Sequence, residues 1–235
     1  YFGDTAHLPY GDKSAEAIQH YSVRITDFLL KKKCRTIVIA CNTASALAYG
    51  QVKKHVGNRG RVINVIDPVV EYVSSHFHKI KIGVIGTKGT IHSRIYVRKI
   101  NRSNSSLRVT SLATPLLAPM IEEGYFNNYI SRTIIHSYLS KKSLENIRAI
   151  ILACTHYPLI KKEVELFYGK TATILDSAEI VAQYIKKKPG FSKNKNRIKK
   201  PKHYFYVSDF TVSFEKSAKI FFGRNIKMKK INLWK

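Results

Sequence analysis

Two cysteines stand at matching places in this sequence, and both could hold or release a proton. Cys41 follows the apolar run 36–40, and Cys154 follows the apolar run 149–153. Each run is typical of a strand buried on both faces of a parallel sheet, and a helical stretch comes after each cysteine. A thiol between such a strand and a helix N-terminus gains thiolate character from the helix dipole. Each cysteine is therefore a candidate acid or base.

The alternative for any strand-end cysteine is a small buried hydrophobic residue, and that is our interpretation of Cys34. Cys41 and Cys154 differ because polar turns follow them, Cys41-Asn42-Thr43 and Cys154-Thr155-His156. Two thiols on facing lobes can remove a proton from one face of a carbon acid and return one to the other face. This is racemisation or epimerisation without a cofactor, with one thiolate as general base and one thiol as general acid.

The elements that must position these cysteines alternate between strand and helix in both halves of the chain. After each cysteine a further strand ends in an aspartate, Asp67 in the first half and Asp176 in the second, which indicates an internal duplication. The alternation predicts an α/β fold of two pseudo-symmetric lobes with parallel sheets and the active site in the cleft between them.

The domain boundaries follow from this pattern. We expect residues 1–68 and 178–235 to form the first lobe and residues 69–177 the second. Residues 1–13 are rich in Gly, Asp and Pro and are predicted to be loop. At the C-terminus, a strand at 203–207, a helix at 211–222 and a final basic strand are predicted to return to the first lobe.

The composition limits the possible partners and compartments. The 235 residues carry 41 Lys and Arg against 15 Asp and Glu, a formal charge of +26, which leaves a basic nucleic-acid-binding protein as an alternative. Part of the excess lies in the acid-free segment 186–202, but the rest is diffuse, and we find no zinc-finger, basic-zipper or RNP pattern. We therefore expect no specific nucleic-acid partner.

Other patterns argue against metals, cofactors and membranes. Three cysteines without a Cys-x-x-Cys pair are typical of free thiols in a reducing compartment, so we expect no metal. No apolar run is long enough to cross a bilayer and no signal peptide is apparent, which predicts a cytoplasmic protein. Gly83-x-x-Gly86-x-x-Gly89 is interpreted as tight loop geometry, and no lysine is singled out for pyridoxal phosphate, so we expect no cofactor.

Several motifs together carry a specific resemblance that runs across nearly the whole chain. They are Pro9-Tyr10-Gly11, Ala40-Cys41-Asn42-Thr43-Ala44-Ser45, Gly86-Thr87, Glu122-Glu123-Gly124 and Ala153-Cys154-Thr155-His156-Tyr157-Pro158-Leu159. In this combination they resemble the glutamate racemases of the aspartate/glutamate racemase family. The resemblance implies two flavodoxin-like lobes with glutamate in the cleft, and interconversion of L- and D-glutamate for peptidoglycan. A racemase of aspartate or of another amino acid on the same scaffold remains the enzymatic alternative.

The resemblance also implies roles for individual residues. Cys41 takes the proton from D-glutamate, and Cys154 takes it from L-glutamate. His156 tunes Cys154 or supplies protons, and Glu122 assists the thiols. The alternatives are a structural histidine and ordinary helix-face charges. The residues expected to bind the substrate carboxylates and ammonium are Pro9, Tyr10, Gly11, Asn42, Thr43, Thr87 and Thr155.

One departure from the family pattern concerns the start of the chain. The family opens with a strand that ends in Asp-Ser-Gly, and nothing precedes Tyr1 here. We therefore expect either a fragment or a degraded enzyme, with full activity in doubt for the chain as written. A homodimer is a further expectation for partners.

Overall fold

A computed structural model describes residues 1–188, 202–210, 218 and 226–234. The helix predicted at 211–222 lies outside these residues except for residue 218, and most of the basic segment 186–202 also lies outside them. No helix in the described part of the chain combines the length and apolar character needed to cross a membrane.

The helices and strands alternate along the chain. The strands are β1 (Phe2–Gly3), β2 (Thr36–Ile39), β3 (Arg61–Asn64), β4 (Lys81–Gly86), β5 (Arg108–Ala113), β6 (Ala149–Ala153), β7 (Thr173–Asp176), β8 (Phe205–Val207) and β9 (Met228–Lys230). The helices are α1 (Ala15–Lys31), α2 (Asn42–Leu47), α3 (Tyr49–Val56), α4 (Asp67–His76), α5 (Lys88–His92), α6 (Ile95–Ser103), α7 (Leu117–Glu122), α8 (Tyr129–Leu139), α9 (Lys161–Tyr168) and α10 (Ser177–Lys187).

Every strand pair in the described residues is parallel. One sheet has the order β5-β4-β6-β7, a second pairs β2 with β3, and a third has the order β1-β8-β9. The prediction of an α/β fold with parallel sheets is therefore confirmed. Parallel strands place their carboxyl ends at one edge of a sheet; Cys41 lies two residues after the end of β2, and Cys154 directly follows β6.

The start of the chain differs from the sequence prediction. Residues 1–13 were expected to be loop, but β1 pairs with β8 in the register Phe2↔Tyr206 and Gly3↔Val207. A two-residue strand has too few positions to show a period of two, so its pairing depends on a partner far away in the sequence. The C-terminal strand β8 thus lies beside the first strand, whereas the lobe boundaries themselves stay a prediction.

The buried core explains why the strand before Cys154 is so apolar. All five residues of β6 are 0% exposed, and they contribute to clusters on both faces of the four-stranded sheet. Helices α7 to α9 contribute to one face, and α4, α6 and α10 contribute to the other. A third cluster packs α1, α2 and α3 against β2, and Cys41 packs at its edge. The two cysteine turns are therefore supported by separate packed cores.

Candidate active site

Cys41 lies between β2 and α2, as the sequence predicted. Residues 42–45 are buried, and the Ser45 hydroxyl donates to the Ile39 carbonyl at 2.9 Å, which fixes the turn against the strand. Although part of Cys41 remains exposed, the protein packed around it raises the pKa of the thiol. Hydrogen bonds from the backbone of Ala44 and from Thr43 act in the opposite direction. Because burial is the largest cause, Cys41 favours the neutral thiol.

Three threonine hydroxyls connect the Cys41 turn to the segment that follows β4. Thr43 Oγ1 lies 2.8 Å from Thr87 Oγ1 and 3.2 Å from Thr90 Oγ1, and the last two lie 3.1 Å apart. Thr87 is also the N-cap of α5, where its hydroxyl accepts from the Thr90 N–H. The structure therefore brings Thr43 and Thr87 together, one from each predicted lobe.

Gly11 packs directly against the same threonine. A Cβ atom at Gly11 would lie 2.6 Å from the Cβ of Thr87, closer than side chains tolerate. Glycine is therefore required because the backbone at this position lies directly against the Thr87 side chain. The turn Tyr10–Asp12 thus meets the start of α5, and the exposed ion pair of Asp12 with Lys88, 3.3 Å long, spans the same contact.

Tyr10 is held by a buried carboxylate that the sequence analysis missed. Its hydroxyl donates to Asp4 at 2.6 Å, and the same carboxylate accepts from Ser208 Oγ at 2.7 Å and contacts His7 Nδ1 at 2.9 Å. The Asp4 side chain is only 4% exposed. Burial and the hydrogen bond to Asp4 raise the pKa of Tyr10, so Tyr10 is a neutral donor. The position of Asp4 directly after β1 was the available signal, but residues 1–13 were interpreted as loop.

Asn42, the residue after Cys41, contacts the second predicted lobe through α6. The Tyr96 hydroxyl donates to Asn42 Oδ1 at 2.7 Å, and both residues are 2% exposed. Sequence reasoning did not single out Tyr96, because an aromatic residue on the buried face of a helix is normally core.

Cys154 lies in a charged environment. It follows β6 and is 6% exposed. His156 Nδ1 lies 3.6 Å from Cys154 Sγ, and His156 Nε2 lies 3.1 Å from Glu122 Oε1. Glu122 is the last residue of α7, so the imidazole sits between a carboxylate and a sulfur. The structure brings these three predicted residues into one chain of contacts.

The charge of His156 follows from its two partners. Burial alone lowers its pKa, but the hydrogen bonds and charges of Cys154 and Glu122 dominate and raise the pKa to about 10. The imidazole is therefore a cation at neutral pH. An imidazolium beside a thiol stabilises the thiolate, as in cysteine enzymes that use histidine.

The two cysteines act on each other electrostatically. The negative charge of Cys154 is one of the causes that raise the pKa of Cys41. Such an effect requires the two side chains to approach each other, because charge interactions weaken with distance.

The remaining predicted residues are less closely tied to these contacts. Pro9 precedes the turn Tyr10–Asp12 and follows a cis peptide bond. Thr155 is exposed on the turn between Cys154 and His156, and no described hydrogen bond joins its side chain to the others. Proximity along the chain is thus all that places Pro9 and Thr155 at the site.

No group of three or more His, Cys, Asp and Glu side chains within the described ranges is arranged to hold a metal ion. An open cavity of ≈ 540 Å³ lies elsewhere, between α4 and α6, and none of the predicted site residues lines it. Its Asp67 and Lys99 already pair with each other at 2.7 Å.

Comparisons with known proteins agree on one family. The family model described as Asp/Glu/Hydantoin racemase matches residues 1–185. A curated glutamate racemase of Chlorobaculum parvum is 37% identical over 229 residues, which are 96% of this chain and 83% of that protein. The glutamate racemase of Neisseria meningitidis serogroup A is 34% identical with the same coverage.

A solved structure gives the same result. The crystal structure of glutamate racemase from Francisella tularensis subsp. tularensis SCHU S4 in complex with D-glutamate superposes with a TM-score of 0.86 at 32% identity. The superposition covers 100% of this chain and 87% of that one. Similarity in sequence and in fold thus extends over nearly the whole chain.

Proposed function

Because this chain belongs to the Asp/Glu/hydantoin racemase family, we propose that it is a glutamate racemase that moves protons with Cys41 and Cys154. The glutamate racemases among its relatives, at 34–37% identity over 96% of the chain, support this substrate. The observation that supports the mechanism is the difference in surroundings of the two thiols: burial raises the pKa of Cys41, whereas Cys154 Sγ lies 3.6 Å from His156 Nδ1.

The proposed reaction is a transfer of protons between carbon and sulfur. With L-glutamate bound, the Cys154 thiolate removes the proton from Cα, and the electron pair of the broken C–H bond stays on the carbon and its carboxylate. Cys41 then gives its proton to the opposite face of Cα, which forms D-glutamate. Cys154 ends as the thiol and Cys41 as the thiolate, and D-glutamate reacts by the same steps reversed. No electrons are exchanged, so the chemistry requires no redox partner.

His156 and Glu122 support one half of this cycle. The imidazolium of His156 compensates the negative charge on Cys154 before the substrate binds. Glu122 keeps the imidazole charged and oriented. Such compensation is worth most in a site that excludes water. Both residues lie in the second predicted lobe with Cys154.

The substrate has to hold its Cα between the two sulfurs. We assign its binding to Pro9, Tyr10, Gly11, Asn42, Thr43, Thr87 and Thr155. The contacts of Thr43 and Gly11 with Thr87 support this assignment, because they join donors from both predicted lobes at one place. Fixed donors on both sides orient the Cα–H bond and remove the entropic cost of alignment from the chemical step.

We also propose, on the family resemblance alone, a cytoplasmic enzyme that supplies D-glutamate for peptidoglycan. Lobes at residues 1–68 with 178–235 and at 69–177, a homodimer and the absence of a specific nucleic-acid partner belong to the same proposal.

The test is incubation of the protein with L-glutamate in deuterated water. We expect loss of the α-proton signal in NMR together with formation of D-glutamate on chiral chromatography. L-Aspartate in a parallel reaction decides the substrate, since faster turnover of aspartate would replace glutamate in the proposal. A protein that turns over neither acid but binds DNA with a steep salt dependence would favour the nucleic-acid alternative.

A further inference from the structure

The amide of Asn42 has one satisfied end and one unsatisfied end. Its Oδ1 accepts the hydrogen bond from Tyr96, whereas its Nδ2 is buried and has no hydrogen-bond partner among the described residues. Buried amide hydrogens are paired in the great majority of cases, because an unpaired one loses its hydration without compensation. An unpaired donor in the residue that follows Cys41 therefore requires an explanation.

Tyr96 determines which atom of the Asn42 amide lacks a hydrogen-bond partner. Its hydroxyl is buried, and the proton on that hydroxyl requires an acceptor, which Asn42 Oδ1 provides. Rotation of the amide by half a turn would leave the hydroxyl proton without that acceptor and would put an oxygen where the N–H now lies. Burial and the negative charge of Asp67 raise the pKa of Tyr96, which keeps the hydroxyl protonated as a donor.

We propose that Tyr96 is a positioning residue that presents Asn42 Nδ2 as a donor to a carboxylate of the bound amino acid. This inference rests on the proposed function, because it takes the substrate to be a carboxylate bound beside Cys41. Asn42 is the first residue of α2 in the first predicted lobe and Tyr96 lies on α6 in the second, so the donor is set only when these elements are packed together. A carboxylate oxygen then satisfies the N–H that the free protein leaves unpaired.

The experiment removes the hydroxyl of Tyr96 and keeps its ring. We expect Tyr96→Phe to raise the KM for both enantiomers of glutamate roughly 5-fold, the weight of one hydrogen bond, and to change kcat much less. Tyr168→Phe is the matched control, because it also removes a buried tyrosine hydroxyl. Unlike that of Tyr96, the Tyr168 hydroxyl has no hydrogen-bond partner in the described part of the chain. The KM of Tyr168→Phe should equal that of the original protein.

A double-mutant cycle separates positioning from general packing. If Tyr96 acts through Asn42, Tyr96→Phe has no further effect on KM in an Asn42→Ala background. Equal effects of Tyr96→Phe in both backgrounds would overturn the inference, as would an unchanged KM in the single variant. Calorimetric titration with D-glutamate should show the same pattern in Kd when Cys41→Ala and Cys154→Ala are added together to each protein, which prevents turnover.

Two further results keep the inference testable. If Tyr96→Phe does not fold, the Asn42 side-chain amide is followed by NMR in the unaltered protein, and an amide resonance that D-glutamate does not shift contradicts the assignment. An unaltered protein that neither binds nor racemises glutamate overturns the proposed function and this inference with it. An active protein with unchanged Tyr96→Phe kinetics overturns only the role of Tyr96.

Discussion

The two cysteine turns have the same place in a duplicated strand-loop-helix unit, yet the groups around the two thiols differ. Around Cys41 the partners are neutral backbone and hydroxyl groups, and burial raises the pKa of the thiol. Beside Cys154 stands an imidazolium that is itself paired with Glu122. Equivalent backbone positions thus give the two thiols different electrostatic surroundings once the neighbouring side chains differ.

This difference matters for the two directions of the proposed reaction. In the proposed reaction, conversion of L-glutamate starts from a thiol at Cys41 and a thiolate at Cys154. The reverse reaction starts from the opposite arrangement. Because enantiomers have equal free energy, kcat/KM must be the same in both directions, so the asymmetry has to be sought in exchange, isotope and pH measurements.

The largest expected effect comes from removing either thiol. Cys41→Ala and Cys154→Ala should each lower racemisation by at least about 10³-fold, since each loses an acid–base group that the other cannot replace. Cys41→Ala should still exchange the α-proton of L-glutamate without inversion, and Cys154→Ala that of D-glutamate, as measured by NMR in deuterated water. Cys34→Ala is the control and should keep full activity. Full racemisation by either variant would show that the thiol removed is not required and would contradict the two-thiol mechanism.

A smaller loss is expected at the histidine. His156→Asn should lower kcat/KM about 10²-fold in both directions, because Cys154 loses the cation that stabilises its thiolate. The deuterium isotope effect should increase more for L-[2-²H]glutamate than for the D-enantiomer, since removal of the proton from the L-form is the step that slows. Equal isotope effects would show that His156 does not act specifically on Cys154.

Glu122 should matter less than the histidine that it contacts. Glu122→Gln keeps the shape but removes the charge, so we expect a loss of about 10-fold in kcat/KM and a fall in the pKa of His156 of at least about 1 pH unit. Titration of the imidazole protons by NMR measures this pKa. Glu123→Gln changes the exposed neighbouring residue and should leave both quantities unaltered. Identical behaviour of the two variants would contradict the assigned role of Glu122.

On the Cys41 side, the close packing of Gly11 against the Thr87 side chain can be tested. Gly11→Ala places a methyl group 2.6 Å from the Thr87 Cβ, so the two turns must separate. We expect a loss of about 1 to 3 kcal/mol in the free energy of unfolding and a higher KM. Gly50→Ala, in α3 where nothing lies within 4 Å, should be neutral or stabilising. Urea denaturation compares the two variants, and similar unfolding midpoints would contradict the close packing.

The smallest effect is the pH dependence of stability. The folded pKa of His156, about 10, lies above its ordinary value of 6.5, so the charged form is favoured by folding. The resulting stabilisation is fully present below about pH 6.5 and is lost as the pH rises through about 10. The difference in unfolding free energy between the unaltered protein and His156→Asn should therefore shrink between pH 6 and pH 10. A constant difference would show that the imidazole is not a cation in the folded state.

Much of this arrangement was predictable from particular residues. The β-branched run before Cys41 and the wholly apolar run before Cys154 predicted two buried parallel strands, and the polar residues after them predicted turns at strand ends. The contacts of His156 with Cys154 were also expected, because two residues in one turn are close in any conformation.

Other features were not predictable from the sequence. Asp4 sits in a segment interpreted as loop, and one of the groups that its carboxylate contacts, Ser208, lies more than 200 residues later in the chain. Tyr96 looks like any aromatic residue of an amphipathic helix until α6 is packed against the Cys41 turn. The proximity of Gly11 to Thr87 depends in the same way on how two distant turns meet.

The sequence by itself determined the local elements and the identity of the reactive groups, because hydrophobic periodicity, turn residues and side-chain chemistry act over a few neighbouring positions. Only the tertiary structure decided the charge of His156, the protonation preference of Cys41 and the unpaired end of Asn42. These properties depend on burial and on charges contributed by distant segments, and neither exists before the chain has folded.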